Sequence, residues 1–283
     1  MKTKLIALAV SFSVIAGVRA ATSYATLVAG VSQLFDNGGP GPVLPTDASW
    51  HYIVAGSPTA SYPSRFIMAR TYGAGRIVML GHEGFFGDDS ANRYDNTRFL
   101  ANTLNWLDNG GSKTLFISQG HQEWLAYNNR STWLRQVAVS NGFSVVSSGA
   151  PMNVNLLNSS SVLILGNAWS PFSQTEIDEV GTYVANGGGL VIAGLGWSWL
   201  SAATNHTMQN YPMQPMANQF AATWGPSDIS DYSKGIGGTP IFTTFYPNVL
   251  PFQPYLYPFI ASKAFTIEFY ADAGFTYQFQ STT

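Results

Sequence analysis

The stretch Thr71 to Leu107, TYGAGRIVMLGHEGFFGDDSANRYDNTRFLANTLNWL, constrains the fold more than any other part of the chain. It reads as a glycine turn, a buried strand, a polar loop and an amphipathic helix. Ile77 to Leu80 is a continuous apolar run, which suits a strand covered on both faces. The strand stops at Gly81, and His82 and Glu83 follow at once. In open α/β sheets, the loops past the carboxyl ends of the strands form the ligand crevice. A His-Glu pair there is either the start of a functional site or the polar plug of a half-buried turn.

The same grammar repeats downstream. Asn96 to Leu107 places Phe99, Leu100, Leu104 and Leu107 on one helical face. Thr114 to Ile117 reads as a strand, Trp124 to Asn141 as a segment with a helix in its second half, and Phe143 to Val146 and Val162 to Leu165 as strands. Ser173 with Glu176 forms a capping-box signature for a helix running to about Asn186. Gly187-Gly188-Gly189 ends that helix, and Leu190 to Ala193 is the next buried strand. The glycine run follows a helix and precedes a strand, so it is a helix stop rather than a phosphate loop. Strand and helix alternate from Ile77 to Ala193, which calls for a parallel sheet with helices on both faces.

The flanks are less regular. Thr22 to Phe35 carries helical spacing and ends at Asp36-Asn37-Gly38-Gly39, before a Gly/Pro linker. His51 to Ala55 and Phe66 to Arg70 look like short strands. Asn210 to Pro226 reads as loop. Ala264 to Tyr270 and Phe275 to Phe279 read as a terminal β-hairpin around Asp272-Ala273-Gly274.

The first twenty residues read as a signal peptide. Lys2 and Lys4 precede a short apolar stretch, and Val18-Arg19-Ala20 offers a cleavage site. A secreted, extracellular protein without a membrane span is expected. Cysteine is absent from the 283 residues, which removes Cys nucleophiles and thiolate metal sites. Charged residues are 10% of the chain, against a usual ~25%. That composition argues against nucleic acid, which wants basic patches. A glycan or an extracellular protein is the partner it suits. Asn129, Asn158 and Asn205 stand in glycosylation sequons.

Tyr72-Gly73-Ala74-Gly75-Arg76-Ile77-Val78, His82-Glu83, Phe99-Leu100-Ala101-Asn102 with Trp106-Leu107, and Asn186-Gly187-Gly188-Gly189-Leu190 leading to Trp197 occur in order. This set, from about Trp50 to Asp231, resembles the amino-terminal region of the TRP-channel-associated factors and related secreted bacterial proteins. The resemblance implies a fold similar to class I glutamine amidotransferases: α/β, flavodoxin-like, a largely parallel sheet with helices on both faces, here with a β-rich carboxyl-terminal tail. Full-length relatives often continue into a gluzincin-type peptidase domain with an H-E-x-x-H helix. The four histidines here, at 51, 82, 121 and 206, do not form that pattern. Amidotransferase chemistry needs a Cys on the turn after the strand Leu190 to Ala193. Leu195 or Gly196 stands there instead, with Ser198 the only hydroxyl close by.

Two constellations remain. His82 and Glu83 follow one strand, and His121 and Glu123 follow another. If the strands are neighbours, four ligands face one crevice and suit zinc or a general acid/base pair. Otherwise His82 caps a turn, Glu83 accepts backbone N–H groups and the second pair is solvated. Trp124, Trp169, Trp197 and Trp199 lie near the same rim and either stack on sugars or pack the core. The organisation expected is a signal peptide at 1–20, a helix and linker at 21–49, the α/β domain at 50–231 and an aromatic, Pro-rich β tail at 232–283. The expected function is a secreted, non-catalytic binding or scaffold module, a pseudoenzyme with no cofactor, for a protein or glycan partner. The alternative is a metal-assisted hydrolase at the crevice of His82, Glu83, His121, Glu123, Trp197 and Ser198.

Overall fold

A computed structural model of the chain describes residues 24–55, 65–126, 130–229, 241–242, 245, 257–261 and 264–268. The expected signal peptide, Asn129 and the turn at Asp272-Ala273-Gly274 lie outside the described residues. In chain order the elements are β1 (Leu34–Phe35), β2 (Val43–Pro45), β3 (His51–Ala55), β4 (Arg65–Tyr72) and β5 (Gly75–Leu80). Then come α1 (Asn96–Asp108), β6 (Thr114–Ser118), α2 (Thr132–Ser140), β7 (Ser144–Ser148), α3 (Val154–Asn158) and β8 (Val162–Leu165). They are followed by α4 (Gln174–Ala185), β9 (Gly189–Ala193), α5 (Gly196–Ala202), α6 (Gln214–Gln219) and β10 (Ala222–Trp224). The last strands are β11 (Ile241–Phe242), β12 (Tyr257–Ala261) and β13 (Ala264–Glu268).

Seven strands form the central sheet, in the order β3-β4-β5-β9-β8-β6-β7. β3, β4 and β5 are an antiparallel meander. From β5 onward all neighbours are parallel. The strands alternate strictly between two cores. Val78, Leu80, Val191, Ala193, Val162, Ile164, Leu115 and Ile117 join the α1 and α2 side. Ile77, Met79, Leu190, Ile192, Leu163, Leu165 and Phe116 join the side of α3, α4 and α6. Both faces are therefore covered, as the apolar runs require.

Within the parallel set the order is β7-β6-β8-β9-β5, with β6 parallel to a neighbour on each side. Here β5 is zipped to β4 through the tight Tyr72–Gly75 hairpin, so only one of its edges is open to a parallel partner, β9. β5 thus ends the parallel set instead of sitting within it.

Three local readings are corrected. Residues 25–30 are turns leading into β1, not a helix. Tyr24, Leu27 and Leu34 are buried, so the periodicity reported burial and not backbone form. The main chain there is satisfied from α1: Asn102 Nδ2 donates to the carbonyls of Leu27 and Ala29, and Asp95 accepts from Ser32 N–H. The expected linker contains β2, which pairs with β10. Asn210 to Pro226 holds α6 and β10, with Met213, Met216, Ala217 and Phe220 buried. Pro215 marks no loop because it sits in the first helical turn, where a missing N–H costs nothing. Finally, β13 pairs with β12 rather than with Phe275–Phe279, which lies outside the described residues. Pro258 hides β12 in the sequence, but a two-stranded ribbon tolerates it at an edge.

Candidate functional site

The carboxyl ends of β5, β9, β8 and β6 meet along one edge of the sheet. The loops after β5 and β6 lead to α1 and α2 on one face. Those after β8 and β9 lead to α4 and α6 on the other. Such divergence opens a crevice in α/β sheets. Here the chain fills it with its own polar groups.

Gly81 lets the crossing begin. A Cβ on it would overlap the Gly41 carbonyl oxygen, and Gly41 N–H donates to Gly81 O at 2.8 Å. The 3-10 turn Glu83–Phe86 then carries Glu83 inward to 3% exposure. Glu83 Oε2 accepts the backbone N–H of Asn167, just past β8. Gly166 leaves room for this approach: a Cβ there would stand 3.3 Å from Glu83 Oε2 and 3.4 Å from Glu123 Cβ. Tyr211 Oη donates to Asn167 Oδ1 and accepts Leu195 N–H at 2.8 Å. Glu123 is fully buried. Its Oε1 accepts from Ser118 Oγ at 2.5 Å and its Oε2 from His121 N–H at 2.7 Å.

The two carboxyls differ in charge state. Burial pushes the Glu83 carboxyl up to about 8, and the nearby Glu123 charge adds to that. Burial would also raise Glu123, but hydrogen bonds from His121 and Ser118 hold it below the usual carboxylate range. At neutral pH the pair is one protonated acid beside one carboxylate.

The histidines differ in their relation to this pair, and His121 keeps its Nδ1 3.8 Å from Glu123 Oε1. His82 Nδ1 meets Asp36 Oδ1 at 2.5 Å, with its ring against Gly38 and Gly84. His121 Nε2 meets Glu176 Oε2 at 3.3 Å, with its ring 4.1 Å from Phe172. Burial alone would lower both imidazoles; Asp36 raises His82, and Glu123 and Glu176 raise His121, above the ordinary value. So the four expected residues divide. Glu83, Glu123 and His121 come together, His121 being shared between Glu123 and Glu176, while His82 is bonded to Asp36. Among the described residues, no group of three or more His, Cys, Asp or Glu is disposed to hold a metal ion.

Sequence reasoning missed Asp36, Asn167 and Tyr211. Asn167 carried a usable signal, because it follows the apolar run of β8 as Glu83 follows that of β5. Asp36 read as a helix stop, and Tyr211 lay in a segment read as loop.

The turn after β9 has the strand-turn-helix form of a nucleophile elbow, with Leu195 buried at its tip. Ser198 is inside α5, its N–H bonded to Leu195 O at 3.1 Å. The tryptophans pack rather than form one platform. Trp197 Nε1 donates to Gly39 O at 2.5 Å. Trp199 donates to Asn210 Oδ1 at 2.9 Å and stacks on His206 at 3.5 Å. Trp169 is tilted against Trp199, and Trp124 lies under Arg130. Asn158 and Asn205 are exposed.

Fold and site together define an α/β domain with a mostly parallel sheet, whose crevice is plugged by its own buried carboxyls and whose elbow lacks a nucleophile. The chain belongs to the family described as "TRPM8, N-terminal domain" (TCAF_N), which matches residues 56–230. The "TRPM8 channel-associated factor homolog" of Danio rerio is 26% identical over 196 residues, covering 68% of this chain and 18% of that protein. "TRPM8 channel-associated factor 1" of Homo sapiens is 30% identical over 139 residues, 49% of this chain and 12% of that protein. This chain thus spans under a fifth of the length of these relatives. In fold it is similar to IMPa from Pseudomonas aeruginosa, solved with an O-glycopeptide, at a TM-score of 0.51 and 17% identity over 72% of this chain and 21% of that one. The expectation of a secreted, extracellular protein is corrected by the relatives, which are named as TRPM8 channel-associated factors and point away from that location. Among the described residues no helix is long and apolar enough to cross a membrane.

Proposed function

We propose that this chain is a non-catalytic protein-binding module of the channel-associated-factor type. One observation carries the reading: both crevice carboxyls are spent on internal bonds, to Asn167 N–H and to Ser118 and His121 N–H. A general acid or base must reach a substrate proton, and a carboxyl buried and bonded within the fold is poorly placed to do so. The elbow adds to this, since Leu195 occupies its tip. The names of the relatives supply the partner class, a membrane channel of the TRPM8 kind. On this reading the binding unit is the α/β body at 50–231, built on an amidotransferase-type scaffold, with His82, Glu83, His121 and Glu123 as its internal plug.

The test is capture of a detergent-solubilised TRPM8 channel by the immobilised chain, beside an unrelated channel, with glutamine and casein hydrolysis measured on the same preparation. Selective capture without turnover is expected. Absence of capture, or turnover that Glu83→Gln abolishes, would overturn the reading.

A further inference from the structure

The chain contains four Asn-Gly steps: Asn37-Gly38, Asn109-Gly110, Asn141-Gly142 and Asn186-Gly187. At such a step the glycine nitrogen can attack the asparagine side-chain amide, because no Cβ shields its approach. The four are alike in sequence, and the fold separates them. At Asn37 the main chain is pinned. Its N–H donates to Ser90 Oγ at 3.1 Å, and Gly38 packs on the His82 ring, where a Cβ would stand 2.5 Å from Cε1. Gly142 N–H donates to Val139 O at 3.0 Å, and Asn141 Nδ2 donates to Val137 O at 2.8 Å. Gly187 N–H donates to Val184 O at 3.0 Å. A glycine nitrogen held in such a bond must break it to reach the side chain.

Asn109-Gly110 is under none of these restraints. Asn109 caps α1 in the left-handed region at φ 48°, and Gly110 follows at φ 80°. Both are exposed, and a Cβ on Gly110 would meet nothing within 4 Å. Among the described residues nothing accepts a hydrogen bond from Gly110 N–H, and nothing bonds the Asn109 side chain. The turn is stapled beside the step instead. Gly111 N–H donates to Asp108 O at 2.7 Å, and Asp108 Oδ1 accepts Lys113 N–H at 2.9 Å and the Ser161 hydroxyl. The tip is held out into solvent while its own reacting groups stay free.

We propose that Asn109 is a modification site, deamidated by water to aspartate and isoaspartate, while the other three asparagines persist in the folded chain. The Gly110 nitrogen gives its proton to water and bonds to Asn109 Cγ. The Cγ–Nδ2 bond breaks, and the nitrogen takes up a proton and leaves as ammonia. A cyclic imide then joins the two residues, and water opens it. Attack at Cγ gives aspartate; attack at the main-chain carbonyl gives isoaspartate, with the chain running through the side chain. In sum one amide and one water become one carboxylate and one ammonium ion. The new carboxylate stands next to Asp108 at the carboxyl end of α1, where the helix dipole disfavours negative charge. The turn leads into the start of β6, so the change falls at the amino end of that strand and leaves the crevice untouched. The isoaspartyl product is the group that a protein carboxyl methyltransferase recognises.

The full chain is aged in warm, mildly alkaline buffer, both folded and in guanidinium chloride, and each Asn-Gly peptide is followed by mass spectrometry. Isoaspartate is counted by methyl transfer from S-adenosylmethionine with a carboxyl methyltransferase. In denaturant the four steps should convert at similar rates. In the folded chain Asn109 should convert first, well ahead of the other three. Asn109→Gln should remove most of the methyl label from the aged folded chain. Asn109→Asp should lower the thermal midpoint with an unchanged far-UV spectrum. Survival of Asn109 in the folded chain, after it has converted in denaturant, would overturn the proposal. So would conversion of Asn37, Asn141 or Asn186 at the same pace as Asn109. The unaltered chain alone decides these outcomes if either variant fails to fold. None of these readouts depends on channel capture.

Discussion

Glu83 shows how one buried group sets the behaviour of the crevice. Its carboxyl is carried from an ordinary 4.5 to about 8, chiefly by burial. A carboxyl with a raised folded-state pKa binds its proton more tightly in the folded state. Its contribution to stability is full below about 4.5 and is lost as pH rises through about 8. Glu83→Gln imitates the protonated form and keeps an acceptor for Asn167 N–H. We expect it to flatten the fall in stability between pH 5 and 8, measured by urea unfolding at several pH values. A variant whose curve parallels that of the unaltered chain would show Glu83 to be ionised. Glu83→Ala leaves the Asn167 donor unpaired, and at pH 5 should cost about 1–3 kcal/mol. The position of Glu83 was legible in the sequence, because a polar residue directly after a buried strand must lie at the sheet edge. The partners of the histidines were not. Asp36 is 46 positions from His82 and Glu176 is 55 from His121, and nothing in local spacing encodes such pairings.

At the scale of elements, α4 shows a local signal with a second duty. Ser173 and Glu176 form the capping box that the sequence announces. Glu176 also accepts Met152 N–H at 3.1 Å and meets His121. One residue thus ties the α4 start, the approach to α3 and the loop after β6. Ser173→Ala should cost about 1 kcal/mol, the usual worth of a cap. Glu176→Ala should cost clearly more, because a donor at Met152 and the imidazole of His121 are orphaned as well. Thermal denaturation of the two variants side by side checks the order; equal losses would reduce Glu176 to a cap. The strand and helix alternation was legible because apolar runs and helical stripes have different periods. The form of residues 25–30 was hidden, since a buried turn and a helix bury similar positions when side chains such as Asn102 satisfy the main chain.

Across the whole molecule the buried ionisable groups predict a bell-shaped stability profile. Glu123 and Glu176 sit below their ordinary values, so their contribution is lost as pH falls through those lowered values. His82 and His121 sit above theirs, so their contribution is lost as pH rises through the raised values, together with that of Glu83. Thermal midpoints should be highest near pH 5, just above the ordinary carboxylate range, and fall on both sides. A midpoint still rising above pH 7 would mean that the histidines are not held as imidazolium. The central claim is that the crevice carboxyls hold the domain together and do not touch a partner. Its most direct test is Glu123→Gln, measured for unfolding free energy and, well below its melting point, for capture of the TRPM8 channel. The account predicts a loss of about 1–3 kcal/mol with capture unchanged; unchanged stability with capture lost would contradict it.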